Sequence, residues 1–94
     1  MKARTASLAK KFTDIPNIGP AMKKDFEMLG FSKPSDLTGQ DPLKLYEKIY
    51  KITGSRHDPC VLDTYIAAVD FMNGAPARYW WKYTAERKKR FPGI

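Results

Sequence analysis

One cysteine, one histidine, no long apolar run and few acids mark this 94-residue sequence. With Cys60 alone, no intrachain disulfide can form, and nothing favours an oxidising compartment. A zinc site needs about four ligands. His57 and Cys60 supply two, so carboxylates or a second chain would have to supply the rest, and no metal or other cofactor is expected. No stretch approaches the roughly 20 apolar residues of a membrane span. The start, Met1 to Lys11, is basic without an apolar core of the signal-peptide kind, so a cytoplasmic location without membrane contact is expected. Repeats of fixed period, low-complexity tracts and a convincing strand alternation are also missing.

Acids are outnumbered 10 to 17 by Lys and Arg, for a net charge of +7, which suggests an anionic partner. The excess sits at the ends. Lys2, Arg4, Lys10 and Lys11 give residues 1–12 a charge of +4. Arg78, Lys82, Arg87, Lys88, Lys89 and Arg90 against Glu86 give residues 78–94 a charge of +5, and the middle sums to −2. The length suits one domain, and 43% hydrophobic content is enough for one modest core.

Turn residues divide the chain into helical stretches. Leu8 and Phe12, four apart, predict one face of a short first helix that stops before Ile15-Pro16. Pro20 opens a second helix with Met22, Phe26 and Leu29 as its apolar face and Gly30 as its end. Ser32 caps a brief helix through Leu37. Asp41-Pro42 and Asp58-Pro59 share one form, a capping carboxylate followed by proline at the first helical position. The first opens a stripe of Leu45, Ile49 and Ile52, and the second a stripe of Leu62, Tyr65, Ile66, Val69 and Met72. A last helix is expected from about Trp81 to Lys89.

Ile15-Pro16-Asn17-Ile18-Gly19-Pro20 carries the chemical content. Asn17 and Gly19 tolerate unusual backbone, and Ile15 and Ile18 can fold inward to join the flanking helices. Gly19 has no side chain with which to cap the helix that follows. The N–H groups of Gly19, Ala21 and Met22 are then open to an anion, helped by the helix dipole.

This stretch resembles the hairpin of the helix-hairpin-helix family, which implies backbone contact with DNA phosphates by Asn17, Ile18, Gly19, Ala21 and Met22, without sequence reading. Ala21 stands where that family often carries a cation, so Lys23 and Lys24, with Lys10 and Lys11 nearby, take the charge role. A longer succession is similar to the small bacterial pathogenicity-locus helix-hairpin-helix proteins, some labelled mitomycin resistance proteins. It runs from Asp14 to Met22, then Arg56 to Asp63, then Pro76-Ala77-Arg78 with Trp80, Trp81 and Thr84. The C-terminal domain of TfoX-type competence regulators is a more distant likeness. The resemblance implies the fold, and the family brings no assigned biochemical role.

Two further clusters compete with the hairpin. Cys60 in the first turn of a helix would have a lowered thiol pKa, and His57 could serve as its base. The plainer reading has Asp58 capping, Cys60 packing and His57 fixing a turn. Trp80 and Trp81, interleaved with Arg78 and Lys82, can stack on exposed bases, although such aromatics more often clamp a C-terminal segment over the core. Arg87 and Lys88 begin a basic run that reads as a solvated helix end and a second DNA contact.

The expectation is an all-α, SAM-like single domain spanning 1–94, with about five short helices, a core over 7–89 and a basic tail over 87–94. It is expected to be non-catalytic and to bind duplex DNA through phosphates, in DNA repair or damage tolerance. A protein-interaction module on the same scaffold is the alternative, and a thiol enzyme using Cys60 a remote one.

Overall fold

A computed structural model describes residues 2–94 as an all-helical assembly around one central helix. Its α-helices are α1 (Pro20–Met28), α2 (Pro42–Thr53), α3 (Pro59–Met72) and α4 (Thr84–Arg90). Proline opens three of them, since its fixed φ and missing N–H suit the first helical position. Asp41 accepts from the N–H groups of Leu43 and Lys44 at 3.0 and 3.4 Å, and Asp58 from that of Cys60 at 3.0 Å. Gly54 ends α2 in the left-handed region at φ 72°.

The connecting turns, Ala6–Leu8, Phe12–Asp14, Pro34–Leu37 and Trp80–Tyr83, are 3₁₀. The first two replace the single helix expected through Leu8 and Phe12. The Asp14 carboxylate takes the N–H groups of Lys10 and Lys11 at 2.9 and 3.1 Å, which an α-helix would send to carbonyls four residues back. Phe12 is buried, and Leu8, on the first turn, is 56% exposed. Asp36 repeats the device. It takes the N–H groups of Ser32 and Lys33 at 2.8 and 3.1 Å, so Ser32 donates to Asp36 instead of capping a helix.

α3 is buried on every side from Leu62 to Val69, as a helix apolar all round requires. α2, α4 and the turns Pro34–Leu37 and Trp80–Tyr83 pack against it. The N-terminal part joins this core through rings: Phe12 lies 5.3 Å from Phe26, and Phe26 lies 5.5 Å from Tyr65. The Tyr65 hydroxyl donates to Asp25 at 3.0 Å, and burial beside that carboxylate raises its pKa far above the usual tyrosine range. Ile52 does not join the core. The buried face of α2 is Pro42, Leu45, Tyr46 and Ile49, and its next place falls to Thr53, whose hydroxyl turns back to the Ile49 carbonyl at 2.8 Å.

Asp63 on α3 fixes the C-terminal segment. Its carboxylate accepts from Arg87 Nε at 2.8 Å and from the Thr84 hydroxyl at 2.7 Å, and both charged side chains are buried. Among the described residues, no helix is long and apolar enough to cross a membrane.

Candidate nucleic-acid interface

Ile15 and Ile18 are both fully buried, so the peptide between them is anchored at two points. Asn17 takes the reversal at φ 73°, in the left-handed region that asparagine tolerates better than most side chains. Gly19 itself is extended, with φ −105° and ψ −171°, so its role does not depend on glycine's backbone freedom. What it contributes is a missing side chain. No side chain caps α1, and the N–H groups of Gly19, Ala21 and Met22 find no acceptor among the described residues, whereas α2 and α3 have their carboxylates. The space beside Gly19 is open, with nothing within 4 Å of where a Cβ would stand.

The flanking element on the N-terminal side is a 3₁₀ turn, so the hairpin joins a turn to a helix and not two α-helices. Ala21, Lys23 and Lys24 are exposed, and Met22 is half-buried against the core. Lys23 shares its charge with Glu27 at 3.5 Å. Lys10 and Lys11 are exposed beside the Asp14 carboxyl, which their backbone N–H groups hold below the usual carboxylate range.

Lys2, counted in the sequence only as part of the N-terminal charge and not as a site residue, braces the hairpin. Its ammonium donates to the Thr13 carbonyl at 2.7 Å and also to the Ile18 carbonyl. Partial burial lowers its pKa from the usual lysine value, against the raising effect of Asp14. No helical periodicity marks this residue, and only its positive charge near the chain start could have drawn attention to it.

Asn17 also reaches the C-terminal segment. Its side chain donates to the Arg78 carbonyl at 2.7 Å and accepts from the Trp80 N–H at 3.3 Å. The aromatic cluster therefore lies against the hairpin and divides in two. Tyr83 is buried, Trp80 half-buried, and Tyr79 and Trp81 are 61% and 51% exposed. Tyr79 and Trp81 stack in parallel at 4.4 Å, and the Arg78 guanidinium lies 4.7 Å over the Tyr83 ring. A cavity of about 520 Å³ opens here, lined by Lys2, Ala3, Pro16, Asn17, Arg78 and Tyr79 among others.

Two expectations need correction. Arg87 is not an exposed cation, because its guanidinium is spent inside the fold on Asp63; Lys88 beside it is exposed. The Cys60 thiol is pushed above its ordinary value, not below it, by burial and by the Asp58 carboxylate, which outweigh the helix start. His57 Nδ1 lies 3.1 Å from the Ser55 carbonyl, in a turn. Among the described residues, no group of three or more His, Cys, Asp or Glu side chains could hold a metal.

Fold and site together define a small, basic, all-helical domain in which residues 2–3 and residues 77–79 line one cavity beside the hairpin that precedes α1. The chain belongs to the pathogenicity-locus family, which its residues 5–89 match. It is 42% identical over 89 residues to the mitomycin resistance protein McrB of Streptomyces lavendulae, an alignment that covers 95% of this chain and 85% of that protein. No solved structure matches it.

Proposed function

We propose that this chain is a non-catalytic module that holds nucleic-acid backbone without reading sequence, receiving duplex DNA phosphates at the N–H groups of Gly19, Ala21 and Met22 in a reduced helix-hairpin-helix. The observation that supports this reading is the contrast among helix starts. Two are filled by aspartates, α4 continues directly from the Trp80–Tyr83 turn, and the one at Gly19 is open, electropositive by its dipole and followed within five residues by exposed Lys23 and Lys24. Backbone donors of this kind position a phosphate and carry no base information. The relative bears the name of a mitomycin resistance protein, and under this reading the present chain serves in DNA repair or damage tolerance.

An amide-shift map on adding duplex DNA tests the proposal. Gly19, Ala21 and Met22 should respond, with affinity falling steeply as salt rises. A response confined to residues 87–94 would reduce it to generic charge attraction. Absence of binding at low salt would defeat it and favour a protein-interaction module, for which exposed Tyr50 and Ile52 on α2 would be the first surface to examine.

A further inference from the structure

The geometry points to an unpaired nucleotide as the occupant of the cavity between the hairpin and the Tyr79–Trp81 stack, so that the chain engages nucleic acid where a single strand is exposed. This rests on the nucleic-acid reading above and adds the form of nucleic acid. Three observations support it independently of the α1 start.

The first is the stack itself. Tyr79 and Trp81 lie nearly parallel, 5° apart, while Trp80 meets Trp81 edge-on at 86°. Tyr83 holds the segment to the core and the Trp80 N–H ties it to Asn17, leaving two large rings more than half exposed. Exposed rings beside cations form the sequence-tolerant platform on which bases stack.

The second is the cavity. At about 520 Å³ it falls within the size range of small-molecule sites, and its walls are largely apolar, from Ala3, Pro16 and Tyr79. A planar base placed there meets the Tyr79 ring.

The third is charge. Lys2 and Arg78 line this cavity, the latter with its guanidinium over the Tyr83 ring, and no carboxylate lines it among the described residues. Asp14, the acid that acts on Lys2, already receives the N–H groups of Lys10 and Lys11. Lys2 spends two of its three protons on hairpin carbonyls, so one is left for a phosphate oxygen. The same two cations would not select a flat apolar peptide, which lacks the anion.

The test compares three fluorescently labelled ligands with the full chain at one low salt concentration. They are a short oligothymidylate, an abasic strand of the same length and charge, and a duplex. Stacking is worth about 1–3 kcal/mol per base, so oligothymidylate should bind roughly 5- to 150-fold more tightly than the abasic strand. A 2-aminopurine placed in the strand should lose emission on binding. The double variant Tyr79→Leu, Trp81→Leu should reduce oligothymidylate to the abasic level while duplex affinity and the unfolding midpoint hold, since both rings are exposed. Equal affinity for oligothymidylate and the abasic strand overturns the inference and leaves duplex binding at Gly19 standing. A base-dependent preference that survives the double variant, with 2-aminopurine unquenched, overturns it as well. Single-strand binding with quenching but no duplex affinity supports it and removes the duplex reading. Failure of all three ligands to bind overturns both.

Discussion

Gly19→Asp separates the two properties of the α1 start, because it should raise stability and lower binding. The extended backbone at Gly19 suits any residue, and an added Cβ meets nothing within 4 Å, so the aspartate enters without strain. Its carboxylate then accepts from Ala21 and Met22, as Asp41 does at α2. Aspartate over glycine at a helix N-cap gains a few tenths of a kcal/mol, a net difference that already includes the stiffer unfolded chain. That gain should lift the unfolding midpoint by roughly 1–3 °C in a domain of this size. Binding moves the other way. Donor groups worth about 1.5–3 kcal/mol to an ionised acceptor are occupied, so duplex DNA should bind roughly 10- to 150-fold more weakly. Gly19→Asn caps without the charge and should fall between. Thermal unfolding and fluorescence anisotropy on the same preparation read both signs. A higher midpoint with unchanged affinity would mean that phosphates do not bind at Gly19. A lower midpoint would mean that the α1 start was not open.

Asp63→Ala leaves Arg87 charged and buried, and should cost about 3–5 kcal/mol in urea unfolding, a large part of the 5–15 kcal/mol typical of a domain. Asp63→Leu with Arg87→Met should recover most of that, and a single-variant loss below about 1 kcal/mol would refute the anchoring role. Backbone N–H groups hold Asp14, Asp36 and Asp58 below the usual carboxylate range. Their contribution to stability is therefore full above the unfolded value near 4 and lost as pH falls through the lowered folded values. Asp58→Asn should flatten that acid limb, and an unchanged acid limb would show that Asp58 contributes nothing there. The Cys60 thiol should alkylate more slowly at neutral pH than a peptide cysteine, and faster after Asp58→Asn removes the neighbouring charge. A thiol more reactive than the peptide's would reopen the catalytic reading.

Most helix boundaries were legible in the sequence because they are local. Pro20, Asp41-Pro42 and Asp58-Pro59 each fix φ or cap a helix within three residues, and the inward turn of Ile15 and Ile18 follows from their spacing about Pro16-Asn17. The first helix was misread because periodicity weighs apolar spacing, not a carboxylate that competes for the same N–H groups. Arg87 was misread as part of a basic run. The signal that would have found it lies in Asp63, the one charged residue in the largely apolar stretch from Val61 to Val69, which must find a buried cation or leave the core. The cavity had no local signal at all, since its walls come from residues about 60 positions apart, as the separation of 61 between Asn17 and Arg78 shows.

The sequence shows positive charge at both ends, and the fold decides how much of it is free. Both basic segments reach the hairpin: the Ala3 N–H meets the Asp14 carbonyl at 2.7 Å, Lys2 braces the turn, and Asn17 ties in Arg78, the first cation of the C-terminal segment. Arg87 is lost to Asp63, and Arg90 lies 3.6 Å from Glu86, so the tail offers less than its composition suggests. If the hairpin and the segments that reach it form the contact surface, the salt dependence of duplex binding should count hairpin cations and not tail cations. Each neutralised phosphate contributes a slope of about −0.9 in log affinity against log salt. Lys24→Ala and Lys10→Ala should each make the slope shallower by about 1 and weaken all duplexes alike. Replacing Lys88 and Lys89 by alanine should leave it nearly unchanged. The reverse pattern would move the contact to the tail, because only cations that approach phosphates displace counterions, whatever the net charge of the chain.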